Sequence, residues 1–367
     1  MESAVRPMIY IGAEVIVSPL GDSAEDNWNA LRENRSGIAL VPSAGFNQED
    51  IHLSKIAGLN GPLRFQQLVI KALSALKERI DASMLASDRT IVLISSTKGA
   101  LDDNLHDQFS QTCAAVKQQF HLAHLPMVIS NACISGVLAL NMAGNMVEIG
   151  QYEHVIVIGC DAASDFVLYG FQSLFAVSDK PCAPFDAARN GITLGEGCGA
   201  ALVSASKSVF NNTPLQLLAG ASANDANHIS GPSRTGEGLV RSVSRTMQRH
   251  GTGTDEVDFI CAHGTGTVFN DEMEAIAFDR LALSDKPLNS LKGYFGHTLG
   301  AAGVIETAVC MQMMRNGMLI KSLGYRDAGT SKPLNVILEN QPKELRTILK
   351  TASGFGGGNA SLMIRSL

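Results

Sequence analysis

Charged and aromatic residues are both scarce in this sequence of 367 residues. Asp, Glu, Lys and Arg make up 17% of the chain, and Phe, Trp and Tyr make up 5%. The 29 basic residues are outnumbered by 35 acidic ones, so the chain has no basic footprint of the kind that binds nucleic acid. The small aromatic share argues against a surface on which bases or sugars stack.

Long apolar runs and paired cysteines are also missing. No apolar run reaches the ~20 residues that a membrane helix needs. The first 17 residues lack the basic region and the small-residue cleavage site of a signal peptide. The seven cysteines are odd in number and contain no C-x-x-C pair, which is typical of reduced thiols. These absences predict a cytoplasmic globular enzyme without a membrane partner.

Short β-branched runs alternate with longer segments of helical periodicity, and this alternation predicts an α/β fold. The predicted strands are 8–17, 89–97, 127–130, 154–162, 199–206, 215–223, 257–264, 288–292, 336–340 and 361–367. The predicted helices include 63–80, 236–250, 271–283 and 300–315.

A polar, turn-rich segment at 207–214 is the best candidate for a domain boundary, so we divide the chain into 1–210 and 211–367. Segments 131–146 and 294–309 resemble each other, one in each half. Both follow a short predicted strand, place a reactive side chain beside Gly and continue into a long apolar helix. The similarity predicts two related halves, each with a central apolar helix.

Cys133, in SNACISGVLALN, is flanked by small residues and followed by an apolar helical segment. If the helix begins near Cys133, its dipole and its unpaired N–H groups would stabilise a thiolate and could later hold an oxyanion. The alternative is a buried cysteine that packs as a small apolar residue, which is common. We assign that alternative to the other six cysteines.

Two histidines lie in Gly-rich turns. His263 opens AHGTGT at the end of a predicted strand, and His297 opens GHTLGAAG before a helix. Their small neighbours leave room for a ligand near the backbone. A metal site is not favoured, because the histidines are 34 residues apart and Asp271 is the one nearby carboxylate with an obvious approach. Lys292 and Glu306 frame His297, either as a solvated ion pair or as a charge that keeps the imidazoles neutral.

The segment SGFGGGNAS at 353–361 lacks the spacing of a dinucleotide-binding loop. It is predicted to be a flexible turn whose backbone N–H groups face the active site. No cofactor is predicted from any segment of the chain.

In order, the segments NACISG, GEG (195–197), AHGTGT-x3-D-x2-E, K-x3-GH-x2-GAAG-x2-E and GFGGGN resemble the β-ketoacyl-[acyl carrier protein] synthases, elongating ketosynthases of the thiolase superfamily. The resemblance implies a five-layer α-β-α-β-α fold with two pseudo-twofold-related halves. It implies decarboxylative Claisen condensation of malonyl-acyl carrier protein with a Cys-bound acyl group, without metal or cofactor. The implied partners are an acyl carrier protein with phosphopantetheine-linked acyl and malonyl groups, and a second subunit in a homodimer or heterodimer.

The same resemblance implies individual roles. Cys133, in the first half, matches the acyl-accepting nucleophile. His263 and His297, in the second half, match the two histidines that handle the malonyl thioester. Phe355 matches the mobile phenylalanine of the Gly-rich loop, whose N–H joins that of Cys133 in the oxyanion hole. Four further residues match the supporting polar residues of the family: Lys292, Glu306, Asp271 and Glu274.

The sequence also departs from the family pattern, and alternatives follow. The departures occur at Ile134, Asn270, 351–353 and Gly358. They favour, as an alternative, a ketosynthase subunit of a polyene or polyketide pathway that works with a chain-length-factor-like partner. A non-catalytic partner subunit is a further alternative, against which the retained Cys133 argues. An initiating synthase would have Asn in place of His297 and a thiolase would use a second Cys, so neither fits.

Overall fold

The computed structural model describes residues 7–59, 61–225 and 231–367. Up to residue 204 its helices and strands are β1 (Tyr10–Val17), α1 (Ala24–Arg32), β2 (Ile38–Val41), β3 (Ile51–Ser54), α2 (Arg64–Lys77), β4 (Thr90–Ser95), α3 (Ser110–Phe120), β5 (Met127–Ile129), α4 (Ser135–Glu148), β6 (His154–Asp161), α5 (Asp165–Ser173) and β7 (Gly197–Ser204).

From residue 215 they are β8 (Leu215–Asn224), α6 (Glu237–His250), β9 (Phe259–Cys261), α7 (Val268–Arg280), β10 (Pro287–Asn289), α8 (Lys292–Phe295), α9 (Ala302–Asn316), β11 (Met318–Leu319), β12 (Asn335–Val336), β13 (Gln341–Pro342), β14 (Thr347–Gly354) and β15 (Gly358–Arg365). Within the described part of the chain, every helix is too short or too polar to cross a bilayer.

The strand order repeats in the two parts of the chain. In the first, the order is β1-β7-β6-β4-β5, and in the second it is β8-β15-β14-β9-β10, extended by β12. In the first part, β7 pairs antiparallel with both β1 and β6, and β6, β4 and β5 are parallel. In the second part, β15 pairs antiparallel with both β8 and β14, and β14, β9 and β10 are parallel. β1 and β8 meet antiparallel in the middle. This repeat agrees with two related halves. The boundary that we propose, between residues 210 and 211, lies in the connection from β7 to β8.

The apolar side chains of the strands alternate between two faces, because successive residues of a strand point to opposite sides. In both halves the inner faces pack on α4 and α9 in one shared core. The outer face of the first half is covered by α2 and α3, and that of the second by α6 and α7. The layers are therefore α-β-α-β-α, as the resemblance implied.

Helices α4 and α9 approach each other closely in the central layer. A Cβ atom built at Gly136 would lie 2.9 Å from the Cα atom of Gly303, and one at Gly303 would lie 2.8 Å from the carbonyl carbon of Gly136. Glycine is needed at this crossing because no Cβ fits between the two backbones. Cys133 precedes α4 and His297 precedes α9, so the crossing also sets the separation of the two reactive segments.

We expect Gly303→Ala to lower the free energy of unfolding by about 1–3 kcal/mol, because the added methyl forces the two backbones apart. The measurement is urea denaturation followed by circular dichroism. Gly170→Ala is the matched control. Gly170 is a helical glycine in α5 with open space at its Cβ position, and the change should stabilise the protein by up to about 1 kcal/mol. Equal stability of Gly303→Ala and the parent protein would contradict the tight crossing.

Three predictions of local structure were wrong. The strand predicted at 288–292 ends at Asn289, since Lys292 already begins α8. Of the strand predicted at 336–340, only Val336 is in β12. The turn predicted at 353–361 consists mainly of β14 and β15, joined by the three residues Phe355–Gly357. β14 was not predicted, because Lys350 and Thr351 interrupt its apolar pattern while both are fully buried.

Candidate active site

Cys133 lies on a tight turn between the end of β5 and the beginning of α4. Ala132, just before it, has a φ angle of 44°, in the left-handed region that residues with a Cβ rarely adopt. The hydroxyl of Ser135 holds this turn: it accepts a hydrogen bond from the N–H of Asn131 (2.7 Å) and donates one to the carbonyl of Ala132 (2.6 Å). The strained turn places the sulfur two residues before the first helical residue.

His297 contacts the sulfur directly. Its Nε2 atom lies 3.1 Å from the Sγ atom of Cys133, although the two residues are 164 positions apart. On the other side of the ring, the backbone N–H of Leu299 donates to Nδ1 at 3.3 Å. Because Nδ1 accepts this hydrogen bond, the neutral ring carries its proton on Nε2. His297 therefore directs an N–H donor towards Cys133.

His263 has the same arrangement, with a lysine in place of the backbone donor. The ammonium of Lys292 lies 3.3 Å from Nδ1 of His263 and donates to the carbonyl oxygen of the same residue at 2.6 Å. The neutral ring of His263 therefore also carries its proton on Nε2. The two rings meet edge to face, with their centres 5.2 Å apart. The sulfur of Cys133 and one ring nitrogen of each histidine all lie within 4.8 Å of one another.

Both histidines are held in the neutral form. Burial, the charge of Lys292, the neighbouring His297 and Lys350 lower the pKa of His263 well below its usual value of 6.5. Burial and the same two lysines do so for the pKa of His297. The ion pair of Lys292 and Glu306 (2.8 Å) is almost completely buried. The alternative interpretation from the sequence, a solvated ion pair, is therefore wrong.

Cys133 rests as a thiol. Burial raises its pKa to about 11, against the opposing effects of the Lys292 charge and the backbone N–H groups of Phe355 and Cys133. The thiolate expected from the helix terminus alone is therefore not the resting state, because desolvation outweighs the stabilising groups. Those two N–H groups converge on the sulfur. Gly354 permits this approach, since a Cβ there would lie 3.1 Å from the backbone nitrogen of Cys133.

Asp271 and Glu274 lie behind the loop that follows β9 and hold its backbone. Glu274 accepts hydrogen bonds from the N–H groups of His263 (2.8 Å) and Gly264 (2.6 Å). Asp271 accepts from the N–H groups of Phe185 (2.7 Å) and Thr265 (2.9 Å). Burial and the neighbouring Asp271 raise the pKa of Glu274 to about 7. Both carboxylates shape the turn that carries His263.

The donor set of Cys133, His263 and His297 does not suit a resident metal ion. A metal binds a lone pair on the ring nitrogen, whereas both Nε2 atoms carry protons here. Reversing the tautomers would place Nδ1–H groups against the N–H of Leu299 and the ammonium of Lys292. Asp271, considered from the sequence as a possible ligand, is engaged with backbone N–H groups instead.

A cavity of about 390 Å³ connects the three reactive side chains with the surface. Cys133, His263 and His297 are each at most 6% exposed, whereas Leu174, Phe175 and Phe269 on the cavity wall are exposed. Phe355 is 39% exposed, and the centre of its ring lies 5.3 Å from that of Phe171. The wall is mainly apolar, which suits an aliphatic chain.

Among the described residues near the site, Asp161 and Lys350 were not recognised in the sequence. Asp161, fully buried at the end of β6, accepts hydrogen bonds from the hydroxyl of Ser96 (2.7 Å) and the N–H of Gly300 (2.7 Å), so it ties the turn after His297 to the first half. Lys350 contacts Glu306 from the side opposite to Lys292. Neither lies in a recognisable motif, and a charged residue in a strand indicates a buried contact only once its neighbours are known.

Comparison with protein families agrees with this geometry. Residues 85–208 match the family "Beta-ketoacyl synthase, N-terminal domain", and residues 216–326 match "Beta-ketoacyl synthase, C-terminal domain". The chain is 27% identical over 413 residues to a putative mitochondrial 3-oxoacyl-[acyl-carrier-protein] synthase of Schizosaccharomyces pombe, covering 95% of this chain and 96% of the relative. It is 32% identical over 248 residues to nodulation protein E of Rhizobium leguminosarum bv. trifolii, covering 65% of this chain and 61% of that protein.

Solved structures share the fold. A ketosynthase in complex with its chain length factor, from Xenorhabdus doucetiae, matches with a TM-score of 0.89 and 24% identity over 98% of both chains. A β-ketoacyl synthase from Burkholderia phymatum matches with a TM-score of 0.86 and 21% identity over 98% of this chain and all of the other. The five-layer arrangement is therefore that of the ketosynthases.

Proposed function

Because this chain belongs to the β-ketoacyl synthase family, we propose that it catalyses the decarboxylative condensation of malonyl-acyl carrier protein with an acyl group bound to Cys133. The product is β-ketoacyl-acyl carrier protein. One observation carries the proposal: a thiol and two neutral imidazole N–H donors lie within 4.8 Å of one another at the inner end of a cavity.

In the first step Cys133 accepts the acyl group. Its sulfur attacks the carbonyl of the acyl-carrier thioester, its proton passes to the departing carrier thiol, and an acyl-cysteine thioester forms. A tetrahedral oxyanion develops on the way. The backbone N–H groups of Cys133 and Phe355, which converge on the sulfur, support a role in stabilising it.

In the second step malonyl-acyl carrier protein loses carbon dioxide. The bond between its α-carbon and its carboxylate breaks, and the electron pair passes into the thioester as an enolate. The Nε2–H groups of His263 and His297 are placed to donate to the enolate oxygen. Neutral rings suit this role, because the donor must keep its proton, and the lysine beside them opposes further protonation.

In the third step the enolate carbon attacks the carbonyl of the acyl-cysteine. A carbon–carbon bond forms, the carbon–sulfur bond breaks, and the departing Cys133 thiolate takes a proton from solvent in the cavity to become a thiol again. The released carbon dioxide makes the sequence favourable, so the chain's own residues need only hold the acyl group and stabilise the enolate and the tetrahedral oxyanions of acylation and condensation.

A specialised pathway is the second candidate. The solved structures that match include ketosynthases with chain length factors, among them the ishigamide ketosynthase and chain length factor. A further relative is the alpha subunit of the tetracenomycin ketoacyl synthase from Streptomyces glaucescens, at 28% identity over 71% of this chain. These likenesses, and the departures from the family pattern at Asn270 and Gly358, support a polyene or polyketide role with a related partner subunit.

The partners and the location follow from the same reasoning. We propose that the substrates are acyl groups and malonyl groups carried by acyl carrier proteins. We also propose that the chain forms a dimer, either with a second copy of itself or with a related subunit. A cytoplasmic location remains our proposal. It is supported by the seven cysteines, none of which forms a disulfide, whereas the relative from S. pombe is named mitochondrial.

The test is incubation of the purified chain with malonyl-acyl carrier protein and a panel of acyl-acyl carrier proteins of increasing length. We expect β-ketoacyl products two carbons longer than the primer, identified by mass. The same assay with a co-purified related subunit separates the two candidates, because a partner-dependent enzyme gives product only in its presence. Absence of product under both conditions, with carriers that a known ketosynthase accepts, would contradict the proposal.

A further inference from the structure

We propose that Lys350 is a positioning residue for the condensation, which anchors His263 and completes a buried Lys–Glu–Lys cluster with Glu306 and Lys292. This inference rests on the proposed function. Lys350 lies on β14, outside every motif that the sequence displays, and its side chain is fully buried.

The contacts of Lys350 place it between two reactive segments. Its ammonium forms an ion pair with Oε2 of Glu306 (2.6 Å) and donates to the carbonyl of Thr351 (2.6 Å). It also donates to the carbonyls of Cys261 (3.3 Å) and Ala262 (3.4 Å), at the end of the neighbouring strand β9. β9 continues into His263, and β14 continues to Phe355.

Lys292 and Lys350 both donate hydrogen bonds to backbone carbonyls at the end of β9. Lys292 donates to the carbonyl of His263, so the two ammonium groups take the carbonyls of three consecutive residues, 261–263. Glu306, on α9, accepts from Lys292 with one carboxylate oxygen and pairs with Lys350 through the other. Such a clamp leaves the backbone of His263 little freedom, so its Nε2–H stays aimed at the reacting carbonyl.

The charges of the cluster also bear on the histidines. Two ammonium groups against one carboxylate leave one net positive charge in a fully buried position beside two imidazoles. Lys350 contributes to lowering the pKa of both rings, after burial and Lys292. Removing its charge should therefore ease protonation of the histidines. The titratable groups that face the cluster or its histidines from the surrounding elements include Cys133, Cys182, Cys261, Asp271, Glu274, Lys292, His297, Glu306 and Cys310.

The test compares Lys350→Met, which keeps an unbranched side chain of similar length and removes the charge, with Lys350→Arg, which keeps the charge. We expect Lys350→Met to slow malonyl decarboxylation by about tenfold or more at pH 7.5, with a further loss of about fivefold at pH 5.5. Acylation of Cys133, followed by intact-protein mass, should stay within about threefold of the parent rate. Lys350→Arg should recover most of the decarboxylation.

Lys343→Met is the matched control. Lys343 also donates to a backbone carbonyl, that of Asp258 (3.0 Å), but at the opposite end of the same two strands. The Lys343→Met substitution should leave the rates of acylation and decarboxylation and the pH profile unchanged. If Lys350→Met does not fold, Lys350→Gln takes its place, because it removes the charge and keeps an N–H donor. A parent-like pH profile, or equal loss of acylation and decarboxylation, would overturn the proposal.

A second measurement needs no catalysis. Diethyl pyrocarbonate modifies the unprotonated imidazole, and peptide mass locates the modification at His263 and His297. In the parent protein the rate should change by less than about twofold between pH 7.5 and pH 5.5, whereas in Lys350→Met it should fall by about fivefold or more. Unchanged modification in Lys350→Met would count against the role of Lys350, even if the parent chain proved inactive with every carrier and the proposed function failed.

Discussion

Cys133→Ala is expected to abolish condensation, with a loss of about 10³-fold or more, because the proposed acyl-enzyme forms on the sulfur of this residue. The sulfur lies at the inner end of the cavity, 3.1 Å from Nε2 of His297, and the other cysteines lie elsewhere in the cores. The measurements are the mass of the carrier products and the mass of the intact protein, which should show no acyl adduct. Decarboxylation of malonyl-acyl carrier protein should persist, since both imidazole donors remain.

The matched control is Cys113→Ala. Cys113 is a buried cysteine of α3, in the outer helical layer, with a burial-raised pKa of about 11 like that of Cys133. Its removal should leave the acyl adduct and the products unchanged. Normal elongation by Cys133→Ala would rule out a covalent intermediate on this residue, and the site would then need a different explanation.

His297→Ala is expected to separate the two half-reactions. The change removes one of the two N–H donors to the enolate oxygen, and loss of such a donor lowers the rate by about 10²–10³-fold. Acylation of Cys133 should continue, because its oxyanion is served by the backbone N–H groups of Cys133 and Phe355. Carbon dioxide release from malonyl-acyl carrier protein and the intact-protein mass report the two steps separately.

His154→Ala controls for the loss of a buried imidazole. His154 is a buried histidine at the beginning of β6, and its Nδ1 atom lies 2.8 Å from the hydroxyl of Ser204, away from the cavity. The His154→Ala variant should retain both acylation of Cys133 and decarboxylation of malonyl-acyl carrier protein. If His297→Ala lost acylation and decarboxylation to the same extent, His297 would serve the sulfur of Cys133 and not the malonyl group.

The α/β class, most strands and the three side chains that meet at the candidate site were predictable from sequence. Cys133 and His263 lie beside small residues shortly after a strand, and His297 lies beside Gly296 in the turn between α8 and α9, so short motifs mark all three. The segments 131–146 and 294–309 indicated related halves, and the same strand order appears in both. β14 escaped prediction because Lys350 and Thr351 break its apolar pattern, and their burial depends on partners from β9 and α9.

Residue order along the chain was enough to single out Cys133, His263 and His297, because each occupies a local motif that little else explains. Their protonation states required the folded molecule. The proton on Nε2 of each ring follows from a donor at Nδ1, the thiol form of Cys133 follows from burial, and the neutral rings follow from burial and two lysines. Electrostatic effects act over a few ångströms in space, and the fold alone brings together groups as distant in the chain as Cys133 and His297, which are 164 residues apart.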